Sequence, residues 1–211
     1  FANTLHNTLP SCPFPVRYTS LTALQAQYRN HWINLRGILL GTLVDEKANT
    51  SDGYASGLSA REFTPTLSAS VSPFSGIPLY VRLMYKDTFR MPTFNDLYYF
   101  RSGNKYLRPE RAHEYSAGIT WQAPQMGGIE KLALTADGYF NDVTDKIVAF
   151  PTTYVWKMAN YGRVHITGLD ATLTVQCRIA SEMTLDIGAI YTLQHAIDVT
   201  NPEAQGYRVQ L

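Results

Sequence analysis

Hydrophobic and polar residues alternate with a period of two along most of this chain. The clearest case is residues 63–73, where the odd positions are Phe, Pro, Leu, Ala and Val and the intervening even positions are all Thr or Ser. Successive side chains of a β-strand point to opposite faces of the sheet. The run therefore predicts a strand with one apolar face and one hydroxyl-rich face.

The same alternation recurs along the chain and predicts about eight strands. The other segments are residues 17–28, 33–43, 79–86, 114–122, 132–140, 169–175 and 183–194. Residues 207–211 read as the start of a ninth strand. The pattern indicates an all-β protein built from one antiparallel series of strands.

The predicted connections alternate between short and long. The short ones are residues 29–31, 74–78, 123–129 and 179–181, and the long ones are residues 47–62, 90–111, 148–160 and 198–206. Antiparallel strands then place all the long loops at one end of the sheet. This sorting is typical of transmembrane barrels, with their short periplasmic turns and long extracellular loops, and a soluble sandwich has no reason for it.

In a bilayer the apolar face would meet lipid and the polar face would line the lumen. The predicted lumen charges are Arg36, Arg82, Lys86, Glu114, Asp137 and Asp186. A dry protein core would exclude them. The predicted aromatic girdles comprise Tyr28, Trp32, Phe74 and Trp121 beside the short turns, and Phe63, Phe89, Tyr139 and Phe140 toward the long loops.

Composition narrows the function classes further. Charged residues make up 17% of the chain against about 25% in soluble proteins. The net charge of +1 provides no basic footprint, which argues against a nucleic-acid partner. The longest apolar run, residues 37–44, is too short for a membrane-spanning helix. Cys12 and Cys177 form neither a disulfide framework nor a zinc motif.

Several ordered motifs carry a family resemblance. Residues 85–99 contain Phe-Arg-Met-Pro-Thr-Phe-Asn-Asp-Leu-Tyr, and residues 103–110 read Gly-Asn-Lys-Tyr-Leu-Arg-Pro-Glu. Both resemble the barrel of TonB-dependent outer-membrane receptors, with Met91 in place of an alanine. Residues 138–147 and 160–170 resemble later strands of the same barrel, in the expected order.

The resemblance implies part of a 22-stranded antiparallel transmembrane β-barrel with a plugged lumen. Residues 1–211 would form a piece of that one barrel domain, about eight strands plus the start of a ninth, without the plug domain or the C-terminal strands. The implied location is the outer membrane of a Gram-negative bacterium. The implied partners are outer-membrane lipid, a small nutrient and, through absent parts, the TonB complex.

The implied function is import of a scarce nutrient energised through TonB. Loose similarity of residues 146–151 and 168–170 to cobalamin-type receptors makes cobalamin the predicted substrate, with a ferric siderophore or haem as the alternative. A soluble all-β binding module is the competing class, and a barrel hydrolase is a third. The sequence lacks the common nucleophile, metalloprotease and phosphate-binding motifs, so we expect neither an enzyme nor a cofactor.

The long loop at residues 90–111 is the candidate ligand-binding segment. Its candidate residues are Arg90, Asn95, Tyr98, Tyr99, Arg101 and Asn104. Exposed aromatic rings interleaved with arginines suit a flat or polar ligand. The alternative is that turn formers such as Pro92, Gly103 and Pro109 simply fold the loop over the barrel rim.

Histidines and acidic residues raise the question of a metal site. His113, His165 and His195 share the phase of the apolar face, which argues against a haem or metal ligand in the lumen. No histidine occurs between Arg90 and Pro109, where haem-receptor relatives tend to place one. The acidic group at residues 137–145 lacks the spacing of a calcium loop, and we predict no metal site.

Overall fold

The computed structural model describes residues 2–4, 14–49, 57–99, 101–123 and 125–200. They form one antiparallel sheet whose nine strands follow chain order. The elements are β1 (Ala2–Thr4), β2 (Phe14–Arg29), β3 (Ile33–Asn49), β4 (Ala60–Val71), β5 (Leu79–Arg90), α1 (Phe94–Tyr98), β6 (Glu110–Ala123), β7 (Ile129–Pro151), β8 (Trp156–Ala180) and β9 (Met183–Asp198). Within these residues the two edge strands do not pair with each other, so the sheet is an open piece of a barrel wall.

The eight predicted strands correspond to β2–β9. The observed strands are longer than the apolar runs, and β7 and β8 reach 23 and 25 residues. The short strand β1 pairs with β2 and was not predicted. The predicted ninth strand at residues 207–211 lies outside the described residues, as do Cys12 and residues 50–56 of one predicted loop.

The predicted long loop at residues 148–160 is wrong. β7 continues to Pro151 and β8 begins at Trp156, so a turn of four residues joins them. Thr152 closes this turn, since its backbone N–H donates to the carbonyl of Val155 over 2.9 Å. Backbone pairing such as Ala149 with Met158 continues there although the side chains no longer alternate. Periodicity detects side-chain burial and therefore misses a strand held by its backbone alone.

The strand register places the predicted apolar positions on one face. Leu83, Ala117, Gly138, Leu169 and Leu193 are successive partners across five strands. Large side chains on this apolar face are exposed, including 54% of Leu83 and 56% of Leu193. A continuous exposed apolar surface of this kind marks contact with a partner or a membrane.

The opposite, polar face carries the predicted charges. Arg82 donates two hydrogen bonds of 2.9 and 2.8 Å to the carboxylate of Asp137. Lys86 Nζ lies 3.7 Å from Glu114 Oε2. Arg36 donates to the side-chain oxygen of Gln25 over 2.9 Å. The polar face thus holds ion pairs and hydrogen-bonded charges. A dry apolar core would not tolerate so many charged side chains.

Two glycines on the polar face make room for side chains of β7. Gly118 is paired with Asp137, whose Oδ1 would lie 2.0 Å from a Cβ at that glycine. Gly168 is paired with Tyr139, whose ring would lie 2.2 Å from a Cβ. Tyr139 therefore covers a glycine on the polar face, and its predicted place in an interfacial girdle is wrong.

α1 is a single short helix turn in the connection between β5 and β6. Across the described part of the chain, no helix has the length and apolarity needed to cross a membrane. Two small hydrophobic clusters lie at the end of the sheet that carries this connection. One contains Val143, Val164, Ile166 and Ala196, and the other contains Leu97, Leu107 and Ile147.

Candidate functional site

The segment between β5 and β6, residues 91–109, is the candidate site and is called the β5–β6 loop below. It begins with α1, which a capping box starts: Asp96 N–H donates to Thr93 Oγ1 over 3.2 Å, and Thr93 N–H donates to Asp96 Oδ2 over 2.8 Å. The prediction treated this segment as an irregular loop. Its Thr-x-x-Asp spacing after Pro92 is the signal that would have indicated a helix start.

A buried ion pair anchors α1 to β2 and β3. Arg17 donates from Nε and Nη2 to Glu46 Oε2 over 2.8 and 2.5 Å, with side chains 10% and 0% exposed. Tyr98 donates its hydroxyl to Glu46 Oε1 over 2.6 Å. Arg17 also donates to the carbonyl of Pro92 over 2.8 Å, and its guanidinium carbon lies 4.9 Å from the centre of the Phe94 ring. We call these five residues the ion-pair anchor.

The other side of the β5–β6 loop is fixed to β7 and β8. Leu97 and Leu107 are buried against Ile147, with Met158 packed beside them. The backbone N–H of Met158 donates to the carbonyl of Ser102 over 2.8 Å. Asn104 donates its side-chain amide to the carbonyl of Met158 over 3.0 Å. The loop thus spans the polar face from β3 to β8.

Motif residues close the base of the loop. Asn160 accepts from the backbone N–H of Arg108 over 2.8 Å and donates to its carbonyl over 2.9 Å. Arg108 also pairs with Asp145 at 2.5 Å. Asp145 has a φ of 53°, a left-handed conformation that Asp tolerates better than most residues. Glu110 accepts from the backbone N–H of Ile147 over 3.0 Å. These residues of the motifs that carry the family resemblance therefore hold the loop to β7 and β8.

The structure separates the six candidate ligand-binding residues by their contacts. Tyr98 and Asn104 hold the loop in place, so their hydrogen-bonding groups face protein. Arg90 lies 3.8 Å from both Asp96 and Glu110. Four of the six are exposed at the surface: Arg90, with 52% of its side chain exposed, Asn95, Tyr99 and Arg101. That these last residues touch a ligand remains a prediction.

Other exposed aromatic residues lie in this loop or beside it and were not predicted as ligand-binding residues. Tyr106 is 91% exposed, and Tyr154 and Trp156 in the neighbouring β7–β8 turn are 93% and 60% exposed. The hydrogen bonds between Met158 and residues 102–104 bring that turn beside the loop. Each of these three residues is an aromatic residue within a loop predicted from the sequence, and this was the signal that could have identified them as exposed.

Replacing Tyr98 by Phe should loosen α1 without unfolding the sheet. The change removes one hydrogen bond to a buried carboxylate, an interaction worth roughly 1.5–3 kcal/mol. Amide hydrogen exchange of residues 93–98 in the full-length protein should accelerate accordingly. Tyr99→Phe is the matched control, because Tyr99 is 63% exposed. Equal exchange in the two variants would show that the Tyr98 hydroxyl does not hold the helix.

The histidines of the apolar face have acidic neighbours. His113 Nδ1 lies 2.5 Å from Asp87 Oδ1, and His165 Nε2 lies 3.5 Å from Asp142 Oδ1. Their position agrees with the predicted phase. Within the described ranges, no three His, Cys, Asp or Glu side chains are grouped so that they could hold a metal ion.

Comparison with known proteins identifies the architecture. The family profile described as "TonB dependent receptor-like, beta-barrel" matches residues 12–211. The fold is similar to that of the copper transporter OprC, with a TM-score of 0.67 and 12% identity over 90% of this chain and 30% of that one. It is also similar to the FrpB iron transporter from Neisseria meningitidis, with a TM-score of 0.62 and 15% identity over 91% of this chain and 28% of that one.

Among curated protein sequences no match was found. The chain spans less than a third of the length of the two transporters. At these identities the likeness concerns the fold, and it agrees with the antiparallel sheet and the exposed apolar face. Because the family profile covers nearly the whole chain, the sequence is assigned on that match. The chain belongs to the TonB-dependent receptor-like β-barrel family, whose members lie in the outer membrane of Gram-negative bacteria.

Proposed function

We propose that this chain forms part of the wall and outer mouth of a transporter that imports a small, scarce nutrient and is energised through TonB. The observation that carries the proposal is the polarity of the sheet. Its apolar face is exposed and its polar face holds ion pairs such as Arg82 with Asp137. A wall between lipid and a wet lumen needs this arrangement, whereas a soluble binding module would cover its apolar face.

The β5–β6 loop is the proposed ligand-contact region. It is fixed over the lumen side of the wall by the ion-pair anchor and by Leu97 and Leu107. A fixed backbone presents Asn95, Tyr99 and Arg101 without the entropy cost of ordering the loop on binding. We assign these three residues, together with the exposed Arg90, to ligand contact. Tyr98 and Asn104 are assigned to positioning the loop.

Cobalamin is the substrate we propose, and a ferric siderophore or haem is the alternative. The similarity of residues 146–151 and 168–170 to cobalamin-type receptors supports the first. The relatives described as iron and copper transporters support metal-containing nutrients as a class. The exposed rings of Tyr106 in the loop and Trp156 beside it would suit the flat face of any of these ligands.

Residues 1–211 are proposed to belong to a single barrel domain. The lumen would be filled by a plug domain from another part of the protein, and that part would contact the TonB complex. The ion pairs of the polar face present both signs of charge to such a plug. The family consists of transporters and receptors, and we propose no enzymatic activity for this member.

Energy-dependent uptake tests the proposed function. The unmodified full-length protein should restore uptake of labelled cobalamin when it is expressed in a host without its own cobalamin receptor. Loss of TonB from the same host should abolish that uptake. Restored uptake of a ferric siderophore instead would replace the proposed substrate and keep the class. Uptake that is unchanged without TonB would contradict active transport.

Removing the exposed side chains of the loop should weaken uptake while leaving the barrel intact. Deletion of residues 90–111 should also weaken uptake. The deletion would uncover the buried Glu46, however, so a loss of ligand contacts could not be separated from a folding defect. The variant Asn95→Ala/Tyr99→Ala/Arg101→Ala avoids this and should lower uptake about tenfold at limiting nutrient concentration, a loss typical of removing key contacts. Lys105→Ala, an exposed change in the same loop, is the control. Parental uptake in the triple variant would show that the loop only caps the rim.

A further inference from the structure

The β5–β6 loop and the turn between β7 and β8 meet along a seam. The backbone N–H of Met158 donates to the carbonyl of Ser102 over 2.8 Å, and the side-chain amide of Asn104 donates to the carbonyl of Met158 over 3.0 Å. The backbone N–H of Tyr106 donates to Asn104 Oδ1 over 3.0 Å, which ties this residue to the same point. Three residues that flank these bonds are called the seam residues below: Arg101, Tyr106 and Trp156.

Trp156 lies on the face of β8 that is turned toward the loop. Side chains two residues apart on a strand share a face. Met158 packs against the cluster of Leu97, Leu107 and Ile147 beneath the loop. Trp156 begins β8 two residues before Met158 and is 60% exposed. Its ring therefore stands on the loop side of β8, open to solvent.

The exposed rings of the seam provide an apolar surface on a fixed backbone. Tyr106 is 91% exposed and Trp156 is 60% exposed, and the hydrogen bonds along the seam hold their two segments together. Each ring has only two side-chain torsions, so a ligand that covers it loses little entropy in ordering it. The pair is therefore suited to the flat face of a ring system.

Arg101 has a backbone conformation that arginine rarely adopts. Its φ is 78°, in the left-handed region where a Cβ is strained and glycine is the usual residue. A tight turn imposes this conformation, since the N–H of Gly103 donates to the carbonyl of Tyr99 over 2.8 Å. A glycine would fit the turn at lower cost. The turn does not need an arginine, and strained residues cluster at functional sites.

The charges that this segment exposes are positive. Residues 90–110 contain four cations and two carboxylates. The carboxylates of Asp96 and Glu110 are only 15% and 20% exposed, and each accepts a backbone N–H of the protein. Arg101 is exposed next to Ser102, which forms part of the seam. The seam thus combines a cation with exposed aromatic rings.

We propose that the seam residues bind a planar ring system that carries an anionic oxygen, with Tyr106 and Trp156 against the ring and Arg101 at the oxygen. The planar fork of a guanidinium matches the oxygens of a carboxylate or a phosphate. The inference rests on the proposed function and narrows its substrate class. Cobalamin has a corrin ring and a phosphodiester, haem has a porphyrin and two carboxylates, and ferric catecholates have aromatic rings with anionic oxygens.

The test measures the affinity of the full-length protein in detergent for three probes: cobalamin, haem and a ferric tris-catechol complex. For the probe that the unmodified protein binds, Arg101→Gln should weaken affinity about tenfold, as expected for losing a hydrogen bond to a charged group. Tyr106→Leu/Trp156→Leu should weaken it by a similar factor, because the ring contacts are lost. Lys105→Gln removes a charge from the same loop and is the control, with unchanged affinity. Heat-modifiable migration shows that each variant has folded.

The variant Arg101→Gly separates the arginine side chain from the strain of its backbone. It should lower affinity as much as Arg101→Gln does. At the same time it should slow amide hydrogen exchange at Gly103, because glycine accepts the left-handed conformation and the turn becomes more stable. Loss of binding together with a more stable turn is the result expected of a residue that is strained for the sake of its ligand.

Three results would overturn the inference. The first is equal affinity of Arg101→Gln and the unmodified protein for the probe that binds. The second is faster exchange at Gly103 in Arg101→Gly, since the arginine would then serve the turn. The third is binding of none of the probes by a protein that still shows TonB-dependent uptake of another nutrient. All three leave the proposed function standing, whereas uptake that is independent of TonB would contradict that function itself.

Discussion

An arginine at Leu67 should lower the free energy of unfolding of the full-length barrel by about 2–4 kcal/mol, and an arginine at Ser68 should cost much less. Leu67 lies on the apolar face, 56% exposed, and is paired with Gly37 and Tyr85. A charge there would sit in hydrocarbon. Ser68 is paired with Arg36 and lies on the polar face, where water can solvate a new charge. Urea unfolding in lipid vesicles measures the difference.

A soluble sandwich would also penalise a charge at position 67, so labelling must accompany the unfolding experiment. Single cysteines at positions 67, 68, 69 and 70 of the full-length protein would be treated with a lipid-soluble probe and with a water-soluble probe. The lipid-soluble probe should prefer Leu67→Cys and Ala69→Cys. The aqueous probe should prefer Ser68→Cys and Ser70→Cys. Labelling without this parity would contradict the transmembrane position of β4.

The variant Glu46→Ala should destabilise the outer end of the barrel by about 3–5 kcal/mol, the usual cost of removing one partner of a buried ion pair. The substitution leaves Arg17 as an unpaired charge with a side chain only 10% exposed, and it removes the acceptor of Tyr98. Urea unfolding gives the total loss, and hydrogen exchange of α1 shows whether the β5–β6 loop has been released.

Glu62→Ala is the matched control for this effect. Glu62 pairs with Arg111, whose side chain is 55% exposed, and an exposed pair contributes about 0–1 kcal/mol. A loss in Glu46→Ala as small as in the control would mean that water reaches the ion-pair anchor. Unchanged exchange of α1 in Glu46→Ala would show that Leu97 and Leu107 hold the loop by themselves.

The wall of the barrel could be predicted from the sequence because its signal is local. In a strand the face of each side chain depends only on the parity of its position, and the two faces meet different solvents. The alternation in residues 63–73 therefore specified the apolar and polar faces before any partner strand was known. The same reasoning placed His113 and His165 on the apolar face, where the structure has them.

Two predictions failed for reasons that differ from the parity rule. Tyr139 was assigned to the aromatic girdle although it shares the parity of Asp137, and its ring does lie on the polar face, where Gly168 on the adjacent strand leaves space for it. The extension of β7 to Pro151 was missed because backbone pairing holds it without alternating side chains. The space over Gly168 and the backbone pairing of β7 with β8 both depend on an adjacent strand, which the pattern of one strand does not contain.

The candidate site, too, could be predicted from the sequence only in part. Its location at the long-loop end, and the arginine and aromatic residues it contains, follow from the sequence by itself. Only the tertiary structure decided which of these side chains face solvent. Arg17 and Glu46 are 29 residues apart and Tyr98 is 52 residues beyond Glu46, yet the three share one buried network. A buried charge is stable only beside its partner, so long-range strand register turned Tyr98 inward and left Asn95, Tyr99 and Arg101 at the surface.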